Sequence, residues 1–525
     1  MTPETLINQV TIEGNLKQFL LVLLVSLSVA VLPQIWGWLR QIPYTLLLVI
    51  VGLGLAFIDV RLVSLSPKLI LLIFLPPLLF EAAWNLEWPK LQRDLVPIAL
   101  YAVVGVVISV AGVAFALNQI AGVSLAIALL VGASISATDP VSVIALFREL
   151  GVEKRLALLV EGESLFNDGI AIVAFSFLVG FSLGTDEVGI PILIARFLAF
   201  VGIGVVVGSL IGFGVSYLTQ PFDLPLVEQS LTLVSAYGTY IIVEELGGSG
   251  VIGVVVMGLI FGNFGSRIGM QPSTRLAVTQ FWNFLAFFVN SIMFLLIGDQ
   301  MRFADLGTNL GVIGITVVAM FVTRAIAIFG LGWLSNWLGH CEISLPDQTV
   351  IWWGGLRGSV SIALALSVPH VLPDRPKIIA IVFGVVLFTL LVQGLTTKAL
   401  LEKLGLLSNQ EFRQEYLEAI AQRVALNRVL KHLSEVSSDR KIEPEFSNHL
   451  VSQLQEKLNL LQAEINQMYD RSPELRQMTI HKLEGDLEAI EADTYAEFVR
   501  SGQLKELPVS VLQQCFKERN ETIVS

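Results

Sequence analysis

Cysteine is nearly absent. Cys341 and Cys515 are the only two in 525 residues, too few for a disulfide framework and without the spacing of zinc ligands, which argues against redox and structural-metal chemistry. Five histidines, His340, His370, His432, His449 and His481, fall at the edges of apolar runs or in the C-terminal region and read as solvated rather than catalytic. No basic stripe with interleaved aromatics is present, so nucleic acid is not an expected partner. Charge of either sign is scarce: 15% of residues are charged against 54% hydrophobic, with a mean hydropathy of +0.73. These are the values of a membrane protein. The apolar part holds no nucleophile and base at catalytic spacing and no cluster of metal ligands, so neither an enzyme nor a cofactor is expected.

Apolar runs long enough to cross about 30 Å of hydrocarbon recur from about Phe19 to about Leu401. About thirteen spans are expected, at 18–39, 44–60, 65–86, 95–117, 122–147, 156–182, 190–219, 229–246, 250–264, 276–299, 309–337, 347–369 and 378–401, joined by short connections. The first is too long for a signal-peptide core and follows a segment with a single cation, Lys17, so it reads as a retained span. An odd count puts the termini on opposite sides. Arg40, Lys90, Arg93, Arg148, Lys154, Arg155, Arg267, Arg275, Lys398 and Lys403 share the side of the C-terminus, against Arg61, Lys68, Arg302, Arg375 and Lys377. That bias predicts a cytoplasmic C-terminus.

The expected division is a transmembrane domain over 1–404 and a cytoplasmic helical tail over 405–525. The tail is rich in charge, carries over half of the chain's net acidity, and has apolar residues at helical spacing, as in EFRQEYLEAIAQRVALNRVLKHL. It reads as an amphipathic bundle packed on itself or on a partner subunit; no nucleotide motif points to a ligand sensor.

An acid in mid-membrane costs several kcal/mol unless paired, hydrated or protonated. Four acids require explanation: Glu81 in FLPPLLFEAAW, Asp139 in SATDPVSV, and Glu163 and Asp168 in VEGESLFNDGIAIV. Pro140 removes a backbone donor and disfavours a helical Asp139, so the fifth span is expected to break at Thr138, Asp139 and Pro140. Freed carbonyls beside carboxylates suit a hard cation that is losing its water. In the sixth span Ser164 and Asp168 lie one turn apart on one face, with Glu161 one turn further along, while Glu163 and Asn167 form a second pair rotated away. Glu163 is expected in a salt bridge. Arg324 in MFVTRAIAIFG and Arg357 in WWGGLRGSVSIALAL each require a carboxylate or helix-end carbonyls. Gly354, Gly355 and Gly358 weaken the twelfth span beside Arg357. One interrupted span in each half of the chain points to a transporter of inverted repeats with its site at the midplane.

The strings SATDPVSV, EGESLFNDGIAIV, FWNFLAFFVNSIMFLLIGDQ, SGVIGVVVMGLIFGN and GGLRGSVSIALAL resemble the monovalent cation:proton antiporter family of NhaP proteins and animal Na+/H+ exchangers over roughly residues 15–405. The resemblance implies an all-α, NhaA/NhaP-like fold of about thirteen spans, usually homodimeric, whose core domain moves against a dimerisation domain. By position the family's ion-binding aspartate corresponds to Asp168, preceded by Asn167. The unwound-helix ligands correspond to Thr138 and Asp139, the neighbouring hydroxyl to Ser164 and the supporting acid of the third span to Glu81. The structural ion pair corresponds to Glu163 with Arg324, and the core arginine to Arg357. Asn167 before Asp168 resembles the electroneutral members, which implies one H+ per cation.

The resulting expectation is exchange of Na+ or Li+ for H+ across an inner or plasma membrane, with Na+ held by Asp168, Ser164 and the Thr138 carbonyl and excluding the proton. The loaded core domain crosses between inward-open and outward-open states, and the empty, charged site rarely moves. Several residues carry a second reading: Asp139 as a helix cap, Glu81 as a structural hydrogen-bonding acid, Arg357 as a clamp on helix-end carbonyls. K+/H+ exchange, a cation channel and a membrane sensor are the competing functions. Glu244, inside the eighth span, has no partner that the sequence names.

Overall fold

The computed structural model describes residues 17–471 apart from 37–38, 40–41, 59–61, 63–65, 184–189, 220–223, 267–269, 271, 302, 340–341, 373, 408–409 and 439–443. Arg40, Arg61, Arg267, Arg302, His340, Cys341, His481, Cys515 and the tail beyond 471 therefore lie outside the described residues, as do the side chains of His432 and His449. The chain divides into two compact units, Met1–Leu406 and Leu407–Ser525.

All described regular structure in the first unit is helical. In chain order the helices are α1 (Lys17–Val29), α2 (Tyr44–Phe57), α3 (Leu69–Asn85) and α4 (Trp88–Ala121), then α5 (Leu125–Ser136), α6 (Val141–Leu150), α7 (Lys154–Ser182), α8 (Ile190–Thr219) and α9 (Pro225–Glu245). They continue with α10 (Gly250–Gly265), α11 (Pro272–Asp299), α12 (Phe303–Gly339), α13 (Leu345–Trp353) and α14 (Ser359–Ser367), and end with α15 (Arg375–Lys403). Eight segments among the described residues are long and apolar enough to cross a membrane. Their outer faces stay apolar. Phe115, Leu210 and Trp333 are 68%, 69% and 71% exposed, far more large apolar surface than water tolerates and what a lipid-facing helix requires.

Two groups of helices form within this unit. In one, α2 packs on α11, α8 and α9 on α10, and α3 on α10 and α11. An aromatic cluster welds it: Phe80 lies against Trp282 with centroids 4.1 Å apart, and Trp84 against Phe261 at 5.8 Å. The indole N–H groups are satisfied, Trp282 by the Thr232 hydroxyl and Trp84 by that of Thr279, both at 3.0 Å, as buried indoles require. In the other group α4 packs on α5 and α12, α7 on α5, and α14 and α15 on each other and on α5. The broken spans belong to this second group.

The breaks fall where proline and glycine predict them. Between α5 and α6 the chain is extended at Ala137 (φ −58°, ψ 134°), and between α13 and α14 it is non-helical up to Gly358 (φ −137°, ψ −142°). Glu244, unassigned in the sequence, accepts the Gly250 N–H at 3.2 Å, so it occupies one of the orphan donors at the start of α10.

In the second unit α16 (Gln410–Ser438) and α17 (Pro444–Arg471) form an antiparallel hairpin. Tyr416 and Ala419 of one are buried with Ile465 and Met468 of the other, flanked by Ile420 and Leu461, and Arg423 donates to Gln462 at 2.9 Å.

Candidate functional site

Breaking two helices in a membrane frees backbone groups that water cannot reach, and each must find a protein partner. The structure solves this by bringing the two breaks together. The Asp139 N–H donates to the Leu356 carbonyl at 2.8 Å, joining the interrupted chains directly. Each half-helix end at this junction carries a partial charge, negative at the C-termini of α5 and α13, positive at the N-termini of α6 and α14. Three ionic side chains answer them.

Arg357, 1% exposed, donates through Nη1 to the Ser136 carbonyl at 2.8 Å and the Ala137 carbonyl at 3.2 Å, the C-terminal end of α5. The Ser361 hydroxyl adds a second donor to Ala137, and Thr389 Oγ1 accepts the Arg357 N–H at 3.1 Å. Arg324 covers the end of α13 by donating to the Ile351 and Trp352 carbonyls at 3.0 and 3.1 Å. It also forms a two-pronged pair with Glu163, at 3.2 and 3.1 Å, the geometry in which a guanidinium and a carboxylate are strongest. Asp139 serves the two N-termini: Oδ1 accepts the Val141 N–H at 3.1 Å, and the carboxylate also receives the Ser359 N–H. It thus caps a half-helix from each half of the chain.

Two glycines make the junction possible. A Cβ on Gly355 would meet the Arg324 guanidinium, and one on Gly358 the Asp139 carboxylate. Beyond weakening the helix, these positions leave room for the charged groups that replace it.

Asp168 differs from the other acids. Thr138 offers its N–H to the carboxylate, yet among the described residues Asp168 has no cationic hydrogen-bonding partner and its buried Oδ1 has no hydrogen-bond partner. Its charged neighbours are Asp139, Glu163 and, at longer range, Arg357. One turn earlier, Ser164 Oγ donates to the Thr138 carbonyl at 2.5 Å, so that carbonyl, the hydroxyl and the free carboxylate oxygen share one corner of the junction. Asn167 Nδ2 donates to the Ser136 carbonyl at 3.0 Å and Thr138 Oγ1 at 3.1 Å, pinning the unwound segment from one residue further round α7. Asp168 and Asp139 are half-buried rather than sealed.

Glu81 is not among the charged neighbours of Asp168. Its charged neighbours are Glu161 and Arg148, and it accepts from Asn85 at 2.6 Å. Glu161 is seven residues before Asp168, about 10 Å along the helix axis. The chemistry of the junction is therefore one carboxylate with neutral oxygens. Among the described residues no group of three or more His, Cys, Asp or Glu side chains is placed to hold a metal ion.

Comparison with known proteins matches residues 22–403 to the transmembrane sodium/hydrogen exchanger family. The chain belongs to that family. This exchanger-family chain is 62% identical over 436 residues, 83% of its length and 84% of the relative's, to the Na+/H+ antiporter ApNhaP of Aphanothece halophytica. It is 54% identical over 479 residues, 90% of each protein, to the low-affinity Na+/H+ antiporter NhaS1 of a Synechocystis strain. Its fold matches the solved structure of the sodium proton antiporter MjNhaP1 of Methanocaldococcus jannaschii with a TM-score of 0.63 at 19% identity, covering 76% of this chain and 99% of that one. The family and the apolar helices together make this a multi-pass integral membrane protein. The residues that sequence reasoning passed over are Thr389, Ser361 and Ser136, which hold the junction through single hydroxyls or carbonyls. No local pattern marks them, since their partners lie 31 to 224 residues away in the chain.

Proposed function

We propose that this protein is an electroneutral Na+(Li+)/H+ antiporter in which Na+ and H+ compete for Asp168. The observation that carries the reading is that every other buried ionic group at the junction has a fixed partner, while Asp168 keeps a buried oxygen without a partner among the described residues. Charge counting supports the stoichiometry. In formal charges the three carboxylates of Asp139, Glu163 and Asp168 stand against the two guanidiniums of Arg324 and Arg357, and three minus two leaves one net negative charge. One H+ or one Na+ cancels it, and a neutral junction can cross the bilayer interior without the desolvation cost that holds the empty one in place. The names of the close relatives agree with this cargo.

In this mechanism the Thr138 carbonyl, Ser164 Oγ and Asp168 replace part of the ion's hydration shell, Asn167 fixes the segment that carries Thr138, and Asp139 contributes field strength while capping. Glu81 and Glu161 line the approach and draw cations towards it. The group containing α4, α5, α7 and α12 to α15 is the moving core; the group of α2, α3 and α8 to α11 is the frame through which two copies pair. Thirteen crossings with a cytoplasmic C-terminus in an inner or plasma membrane complete the reading.

The test is dissipation of a pH gradient in everted vesicles from an antiporter-deficient host, with Na+, Li+, K+ and Ca2+ added in turn. Saturable alkalinisation by Na+ and Li+ that vanishes in Asp168→Asn is expected. Normal exchange by that variant removes the mechanism, and a response to K+ alone reassigns the cargo.

A further inference from the structure

Two consecutive residues at the start of α2 hold different parts of the molecule. The Tyr44 hydroxyl lies 2.8 Å from the Ser26 carbonyl of α1 and 3.0 Å from Ser291 Oγ of α11, and its ring stacks on Phe287 with centroids 5.1 Å apart. Further along, α2 and α11 meet backbone to backbone: a Cβ on Gly52 would meet the Leu295 carbonyl, and one on Gly298 the Val49 carbonyl. α2 is thereby anchored in the group that contains α3 and α8 to α11. Thr45, the next residue, reaches the group of the broken spans. Its Oγ1 shares a hydrogen bond with Ser142 Oγ at 2.5 Å, and Thr45 and Ser142 are 5% and 2% exposed. Ser142 is the second residue of α6, the half-helix whose Val141 N–H is capped by Asp139 and which packs on α7 and α15. The pair therefore ties a helix anchored in one group to a residue three places beyond Asp139 in the other.

We propose that the Thr45–Ser142 hydroxyl pair is a latch that holds α6 to the anchored α2 in this conformation and parts each time the core crosses. The inference rests on the antiport reading and on the core movement that goes with it. Two properties suit the pair to being made and broken. It carries no charge, so parting it strands no ion, unlike the pair of Glu163 with Arg324. A Ser or Thr hydroxyl that loses a side-chain partner can also bond to nearby backbone, so neither group is left an orphan. One neutral hydrogen bond biases the balance of two orientations about fivefold, enough to favour one face and weak enough to release in every cycle.

The tests use the full-length protein in everted and right-side-out vesicles of the antiporter-deficient host. Thr45→Cys/Ser142→Cys, combined with Cys341→Ser and Cys515→Ser so that no other thiol remains, places two thiols where the hydroxyls meet. Copper phenanthroline is expected to join them, seen as a linked peptide pair by mass spectrometry, and to abolish Na+-driven proton flux; dithiothreitol is expected to restore it. Failure of the bond to form, or undiminished flux through the linked protein, overturns the latch. Thr45→Val keeps the side chain's shape and removes the hydroxyl. In that variant the ratio of the Na+ KM values measured from the two faces is expected to change about fivefold, because the ratio follows the balance of the two orientations. A merely structural hydrogen bond would lower stability or the active fraction and leave the ratio at its wild-type value, which also overturns the proposal. If Thr45→Val does not fold, the disulfide assay decides. Wild-type vesicles without Na+-driven flux remove the antiport reading and the latch with it, whereas normal wild-type flux beside an active linked protein removes the latch alone.

Discussion

The two broken spans reach the same junction by opposite means. Between α5 and α6 the break contains a proline and contributes oxygens: the Ser136, Ala137 and Thr138 carbonyls and the Asp139 carboxylate all face inwards, each engaged by a donor. Between α13 and α14 the break contains glycines and contributes space and positive charge, with Arg357 donating across to the first break and Gly355 and Gly358 clearing room for Arg324 and Asp139. One supplies oxygens; the other supplies what keeps the oxygen-bearing segment from collapsing. The asymmetry teaches that an interrupted helix need not be a ligand source, and that its partner break can be purely a support.

That contrast can be broken experimentally. The largest effect is expected for Arg324→Ala, which strands Glu163 and uncovers two carbonyls at the end of α13. Removing one member of a buried ion pair costs about 3–5 kcal/mol, so thermal melting in detergent should show a collapse of the folded fraction, whereas a melting point near wild type would mean that the supporting break supports nothing. Gly358→Ala comes next. Its Cβ would meet the Asp139 carboxylate, and overpacking of this kind costs about 1–3 kcal/mol, with exchange reduced more than stability because the cap on both α6 and α14 is displaced. Smallest is Pro140→Ala. The unwound segment is held by the hydrogen bonds of Thr138, Asp139 and Arg357, so losing the ring should change stability by no more than about 1 kcal/mol and leave exchange largely intact. A large loss of exchange would instead make the proline itself the cause of the break.

Much of the fold was legible because lipid imposes a simple rule on composition. Runs such as 156–182 and 309–337 emerge as α7 (Lys154–Ser182) and α12 (Phe303–Gly339), both starting earlier than the run, since the hydrophobic requirement ends before the helix does. Both breaks were legible from Pro140 and from Gly354, Gly355 and Gly358, and the shared face of Ser164 and Asp168 followed from helical spacing alone. What could not be read was which end each charge serves. Asp139 capping Ser359 depends on α14 being brought to α6 from more than two hundred residues away, and Asn167 reaching Ser136 depends on α7 packing on α5. Glu81 shows the converse. Its intramembrane position was plain, but its placement beside Glu161 is fixed by how α3 leans on α7. In the tail, helical periodicity was evident, while the pairing of Tyr416 and Ala419 with Ile465 and Met468 needed the hairpin.

The single main-chain bond from Asp139 to Leu356 has a consequence for how such a protein can be inherited or engineered. The stretch around 125–168 and the stretch around 320–393 share carbonyls, caps and a counter-ion, so neither is a module. A chimera that takes only one of them from a distant relative imports helix ends whose neutralising charges remain in the discarded sequence, whereas one that takes both carries a self-sufficient centre. Lineages that reshape this exchanger should therefore show the two segments travelling together, while helices such as α8 and α9 drift independently.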